Sequence, residues 1–188
     1  LLGADIIGFH TNDYVQHFLK SIREILGYEN LLRVINTAER SITVDTFPIS
    51  IDYHKFNIAS KDNDTFAERN KIKKRLYDTK LIISVDRLDY AKGLTSRLKS
   101  YELFLEKYPE YRKKVTYILL VVPSRDIITK YNDTKKEIEG MVSQINGKYG
   151  SIEWTPVVYQ YKTLEFKKLL ALYLSADVAL ITPMRDGM

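Results

Sequence analysis

Apolar residues recur along this chain with two alternating periods, and the alternation predicts the architecture. Residues 4–9, ADIIGF, form a short apolar run of strand type, with Gly8 allowing a turn. Val15, Phe18, Leu19, Ile22, Ile25 and Leu26 then fall at helical spacing. Thr11 or Asn12 stands where a cap belongs, and Gly27 where a left-handed stop belongs. Residues 31–35 and 42–47 are β-rich, separated by a polar turn around Ala38 to Ser41. Pro48 interrupts the strand pattern, and beyond Phe56 the chain stays polar through Asp64, the composition of a domain boundary.

From there strands and helices alternate. A Thr65-x-x-Glu68 capping box predicts a helix to about Tyr77, followed by a strand at Leu81 to Val85. After Gly93, Leu94, Leu98, Tyr101, Leu105 and Tyr108 line one helical face, which Pro109 ends. Residues 115–122 are an almost unbroken apolar strand, as expected where both faces of a parallel sheet are covered. A long helix through Ile138, Val142 and Ile145 ends near Gly147, and Val157 and Val158 mark a strand. Thr163 stands as the cap of a helix carrying Phe166, Leu169, Leu170 and Tyr173, and residues 178–181 are the next strand. This order implies right-handed βαβ crossovers and an α/β, doubly wound parallel sheet. The expected divisions are residues 1–50, a linker at 51–62, and a second domain at 63–188.

Composition narrows the classes. With 188 residues, 45% apolar and 28% charged, the chain can bury an ordinary core, and no apolar run approaches a membrane span. It has no cysteine, which excludes disulfides and thiolate metal sites and makes the cytoplasm the expected location. The first residue is Leu1 rather than Met, so residues upstream are expected. The net charge of +5 is spread over basic clusters interleaved with acids, a poor match to a nucleic-acid surface and a fair one to an anionic small molecule.

The chemistry collects at strand ends. Arg87 and Lys92 follow the strand at 81–85, Arg125 follows the strand at 115–122, and Arg185 and Asp186 follow the strand at 178–181. Loops at the carboxyl ends of one parallel sheet converge on one crevice, where cations suit a phosphorylated ligand. For the loop of Arg87 and Lys92 taken alone, a solvated surface loop is an equal alternative. Asp86 and Asp89, alternating with Arg87, read as caps or supporting partners rather than metal ligands. His10 lies at a strand-to-helix junction, with no second histidine at metal-ligand spacing. A helix starting near Met188 would offer free N–H groups to an anion.

The strings LLGADIIGFHTNDYVQHFL, FPISID, VDRLDYAKG, VPSR, EWTPV and SADVALITPMRDGM, in this order, resemble trehalose-6-phosphate synthases over essentially the whole chain. These are retaining glycosyltransferases of the two-domain GT-B fold. The resemblance implies that residues 1–50 end an acceptor-side Rossmann-like domain, and that 63–188 are most of a nucleotide-sugar-binding one. It implies transfer of glucose from UDP-glucose to glucose 6-phosphate, giving trehalose 6-phosphate and UDP, with no metal or other cofactor. Arg87 and Lys92 are then the pair holding the donor diphosphate, and Asp186 the acid that hydrogen-bonds the donor glucose. Arg125 is the ligand of the acceptor phosphate, the backbone of Gly187 and Met188 faces the diphosphate, and His10 lies near the acceptor.

A homo-oligomer or a trehalose-phosphatase partner is compatible with this reading; a membrane or nucleic-acid partner is not part of it. The alternative is a catalytically silent homologue that binds pathway metabolites or partner subunits. The family pattern continues past Met188 with an Asn and a ribose-binding Glu, and most of the N-terminal domain lies outside these residues. The 188 residues alone are therefore expected to lack transferase activity, and trehalose 6-phosphate formation by the isolated chain is the measurement that checks this.

Overall fold

The computed structural model describes residues 1–76, 79–123 and 129–184, with the backbone alone for 129–131. The chain divides into two compact units, the boundary falling between Asp52 and Tyr53.

In the first unit, β1 (Ile6–Phe9) leads into α1 (Asn12–Leu26), followed by β2 (Asn30–Leu31), β3 (Val34–Asn36) and β4 (Ser41–Thr46). The Thr11 side chain accepts from the Tyr14 N–H at the start of α1, and Gly27, at φ 72°, ends it. The sheet order is β1-β4-β3-β2, with β1 parallel to β4 and the others antiparallel. Val15, Leu19 and Ile22 of α1 pack on Ile35, Ile42 and Val44.

The β-rich run expected at 31–35 is a hairpin instead. Leu32 and Arg33 form its two-residue turn at φ 51° and 67°, the left-handed pair whose twist matches a hairpin. Non-glycine residues are strained there, and Arg33 is held by its partners. Its guanidinium donates to the Asp45 carboxylate and, at 2.9 Å, to Asn12 Oδ1. The Thr46 N–H and then Arg33 hold the Asp45 carboxyl below the usual carboxylate range.

The second unit begins with α2 (Tyr53–Ser60) and α3 (Asn63–Arg75). Residues 53–60 of the expected linker are thus helical. An edge-on contact of Phe56 with Phe166 at 5.2 Å and Lys55 over the Phe166 ring bind α2 to its unit. The cap of α3 is Asp62, which accepts from the Asp64 N–H; Thr65, expected as the cap, is fully buried inside the helix. Next come β5 (Lys80–Arg87), a 3₁₀ turn (Tyr90–Lys92), α4 (Leu94–Lys107), a second 3₁₀ turn (Pro109–Tyr111) and β6 (Val115–Val122). Then α5 (Thr129–Tyr149), β7 (Val157–Tyr161), α6 (Phe166–Ser175) and β8 (Val178–Ala179) complete the described elements. The helix α5 passes through Gly147 rather than ending there, while the Asn146 side chain pairs both backbone groups of Val157 at 2.9 Å. No side chain caps α6: Glu165, not Thr163, occupies its N-cap.

The four described strands of this unit are parallel, in the order β7-β6-β5-β8. Alternate residues of β6 explain its unbroken apolar sequence. Tyr117, Leu119 and Val121 face Leu98, Leu105, Ile138 and Ile145 of α4 and α5. Ile118 and Leu120 join Leu81, Ile83 and Leu172 in a second core, with Ile72 of α3 and Leu169 of α6 against it. A cavity of about 410 Å³ adjoins that second core, lined in part by Ile72, Leu76, Ile118, Trp154 and Val158. No described helix is long and apolar enough to cross a membrane.

Asp177 joins the first residues of β5 to the turn before β8. Its carboxylate accepts from the Leu81 N–H at 2.9 Å and from Lys80 Nζ at 3.0 Å, and these contacts, the backbone one first, lower its pKa from 3.8. A lowered carboxyl pKa gives stability that is present above the unfolded value and lost as pH falls through the native one. Asp177→Asn is expected to cost about 1 kcal/mol at pH 7. The gap from wild type should close below about pH 4, as read from urea midpoints of the intact protein at pH 7 and pH 3.

Candidate functional site

The strand order reverses beside β5. Successive crossovers carry the chain from β5 to β6 to β7, and the next strand, β8, returns to the other side of β5. In open α/β sheets the place where the strand order reverses, beyond the carboxyl ends of the strands, is where a ligand crevice lies, and here that place is between β5 and β8. Pairing of the two strands is short, Ile82 with Val178 and Ile83 with Ala179, followed by one further bond from the Leu180 N–H to Ile83 O at 2.8 Å.

Arg87 is the last residue of β5 and is exposed; Lys92, half-buried, ends the 3₁₀ turn that follows. The sequence expectation that both leave one strand end is met, and the strand runs two residues further than the apolar run indicated. Asp89 caps the turn by accepting from the Ala91 N–H at 2.9 Å. Gly93, at φ 66°, switches the chain from turn to α4. A Cβ at Gly93 would stand 2.9 Å from Thr182 O, so only glycine lets the segment after β8 approach this closely. The Met184 N–H donates to Ala91 O at 2.9 Å, a second tie between the two loops.

Sequence reasoning missed Arg97 here. It sits one turn into α4 and is 2% exposed. Its Nη1 donates to Asp86 Oδ2 at 2.6 Å, Nη2 to Lys92 O at 2.9 Å and Nε to Thr182 Oγ1 at 3.1 Å. Asp86, with 13% of its side chain exposed, balances the buried charge. Deeper in the sheet, Tyr117 OH donates to Ser84 Oγ and Ser84 Oγ donates to Leu180 O, both at 2.8 Å. Burial pushes the Tyr117 hydroxyl up, so it remains a donor at neutral pH. An arginine at a helical position among apolar neighbours was the available signal; its spacing matched the helix and its partners were not legible.

In the first unit, His10 directly follows β1, and its Nδ1 accepts from the Ile49 N–H at 3.1 Å. The imidazole proton therefore resides on Nε2, leaving that nitrogen a donor. Gly8 closes against Phe47, whose ring would be 2.7 Å from a Cβ, and Phe47 N–H donates to Phe9 O. An open cavity of about 430 Å³ is lined by Ile6, Gly8, Phe9, His10 and Phe47. Arg125, Asp186, Gly187 and Met188 lie outside the described residues. Among the described residues no group of three or more His, Cys, Asp or Glu could hold a metal ion.

The model of glycosyltransferase family 20 matches residues 1–188. The chain belongs to glycosyltransferase family 20. Among its relatives, the bifunctional trehalose-6-phosphate synthase/phosphatase of Thermoproteus tenax is 42% identical over 188 residues, covering 100% of this chain and 26% of the relative. The UDP-forming alpha,alpha-trehalose-phosphate synthase of Schizosaccharomyces pombe is 40% identical, covering 100% and 37%. The Burkholderia xenovorans synthase in complex with glucose 6-phosphate superposes with a TM-score of 0.90 at 32% identity, covering 98% of this chain and 41% of that one. The N-terminal domain of Candida albicans trehalose-6-phosphate phosphatase gives 0.91 at 33% identity, covering 100% and 40%. The α/β, GT-B assignment of this family 20 chain stands, and the chain spans well under half the length of these relatives.

Gly93→Ala is expected to destabilise the family 20 chain by more than about 1 kcal/mol, because both its φ and its space exclude a methyl group. The thermal or urea midpoint of the intact protein checks this.

Proposed function

We propose that the protein carrying this chain transfers glucose, with retention, from UDP-glucose to glucose 6-phosphate, forming trehalose 6-phosphate and UDP. One observation carries this reading. The strand order reverses between β5 and β8, and at that point Arg87 ends β5 and Lys92 ends the turn that follows it. Relatives named as UDP-forming trehalose-phosphate synthases, and a relative solved with glucose 6-phosphate, supply the substrate classes.

Cleavage of the donor leaves negative charge on the departing diphosphate. Arg87 offers a planar fork to its oxygens and Lys92 a point charge, and both act most strongly where water is excluded. No enzyme nucleophile is needed if the acceptor hydroxyl is aligned with the donor carbon, so binding both substrates rigidly is the larger task. In this reading Arg125 binds the acceptor phosphate, Asp186 hydrogen-bonds the donor glucose, and the backbone of Gly187 and Met188 faces the diphosphate. The Nε2 donor of His10 suits a sugar hydroxyl. In this reading the cations take the part a metal plays elsewhere, the location is the cytoplasm, and the partner is a second copy of the protein or a trehalose phosphatase.

The Candida albicans phosphatase domain favours a second reading, a family 20 domain that binds ligand without turnover beside a phosphatase. The two separate in one experiment on the intact protein. UDP binding followed by calorimetry should weaken by at least about 100-fold in the Arg87→Ala, Lys92→Ala double variant, since each charge-assisted contact is worth about 1.5–3 kcal/mol. Trehalose 6-phosphate formation should be lost with it. Wild-type UDP binding without product would select the second reading, and no UDP binding would refute the transferase reading.

A further inference from the structure

We propose that Arg97 is a positioning residue for the donor site: its guanidinium sets the separation of the β5 and β8 strand ends and the backbone from which Lys92 projects. This rests on the reading of the β5–β8 crevice as the place of the donor diphosphate.

Three observations lead to it. First, strand pairing between β5 and β8 stops at Ile83 and Leu180, and between that level and the loop bond from the Met184 N–H to Ala91 O the strand ends Asp86 and Thr182 are joined through a side chain. Second, Arg97 bridges the gap with three different nitrogens to three different segments: Asp86 on β5, Lys92 in the turn and Thr182 beyond β8. Third, the group is buried and its charge is already matched by Asp86, so it is built as a fixed part and not as a hand for a ligand. A cation in a crevice meant for an anion would otherwise compete with Arg87 and Lys92 for the phosphate oxygens. Pairing with Asp86 removes that competition and leaves the fork free to hold neutral acceptors.

Lysine cannot replace it. An ammonium is a single point with tetrahedral donors, whereas the contacts here use the in-plane directions of a guanidinium at Nε, Nη1 and Nη2. Loss of the Nη2 contact frees the Lys92 carbonyl and with it the turn that ends at Gly93. The consequence should appear in donor handling rather than in acceptor binding, because the turn and the Thr182 segment both belong to the donor side in this reading.

The test uses the intact protein and the variants Arg97→Lys, Arg97→Met and Thr182→Val, each confirmed folded by circular dichroism at the assay temperature. The expected result is a UDP dissociation constant raised about 10-fold or more in both Arg97 variants and several-fold in Thr182→Val, with glucose 6-phosphate KM unchanged and no rescue by lysine. Combined with Lys92→Ala, Arg97→Met should lose most of its effect on UDP binding, since it acts through Lys92; an independent packing role would add to it. Variants that lower the melting temperature yet bind UDP as tightly as wild type would overturn the proposal, as would full additivity with Lys92→Ala. If Arg97→Met does not fold, Arg97→Lys and Thr182→Val decide the matter alone. A wild-type protein that fails to bind UDP would instead overturn the donor-site reading itself, which makes the two failures distinguishable.

Discussion

Where β5 and β8 part, the ladder of strand hydrogen bonds comes to an end, and beyond the single backbone bond from the Met184 N–H to Ala91 O the strand ends are held together by side chains. The contact that does this is the buried pair of Arg97 and Asp86, extended by Lys92 O and Thr182 Oγ1. A buried ion pair contributes little net stability, because desolvation offsets most of its attraction. What it does supply is geometry, since a guanidinium with three fixed donor directions tolerates few arrangements of its acceptors. Below it, Tyr117, Ser84 and Leu180 O continue the ties across β6, β5 and the end of β8. Gly93 leaves room for Thr182 O where a methyl group would stand 2.9 Å from it.

The rest of the second unit supports that point from two sides. The two cores share β6, one drawing Tyr117, Leu119 and Val121 toward α4 and α5, the other drawing Ile118 and Leu120 toward α3 and α6. Close packing on both faces makes the sheet stiff, so the strand ends are delivered at defined heights and only the loops beyond them remain to be fixed. Buried polar groups near the opposite strand ends are also satisfied: Tyr101 OH lies 3.1 Å from Val115 O and from Pro156 O, and Trp154 Nε1 donates to Thr116 Oγ1. The first unit repeats the plan on a smaller scale. There Arg33 is again a cation that secures a backbone shape, holding a left-handed hairpin turn through Asp45 and Asn12.

Much of this was legible along the chain. The helical period from Val15 to Leu26, the glycine stop at Gly27 and the unbroken strand at 115–122 appear in the structure where the sequence places them. The candidate cations Arg87 and Lys92 could be found because a strand ending in a polar, glycine-terminated loop is a local pattern. Errors fell where two local signals competed. Thr65 and Glu68 form an acceptable capping box, yet Asp62 caps the helix three residues earlier and Thr65 is carried into the interior. The linker expected at 51–62 rested on Pro48 and the polar run beyond Phe56; residues 53–60 within it are a helix, whose Phe56 meets Phe166 more than a hundred residues away.

The sequence by itself determined the alternation of strands and helices, the all-parallel class of the second sheet and the family to which the chain belongs. These follow from periodicity, capping and contiguous motifs, which are relations between near neighbours. Only the tertiary structure decided that β8 lies beside β5, and therefore that the Arg87 and Lys92 loop borders the reversal of strand order. It also decided that Arg97, unremarkable within its helix, joins Asp86 11 residues before it to Thr182 85 residues after it. No local pattern encodes such a partner, because the geometry of three hydrogen bonds exists only once the strands that carry the acceptors have been brought side by side.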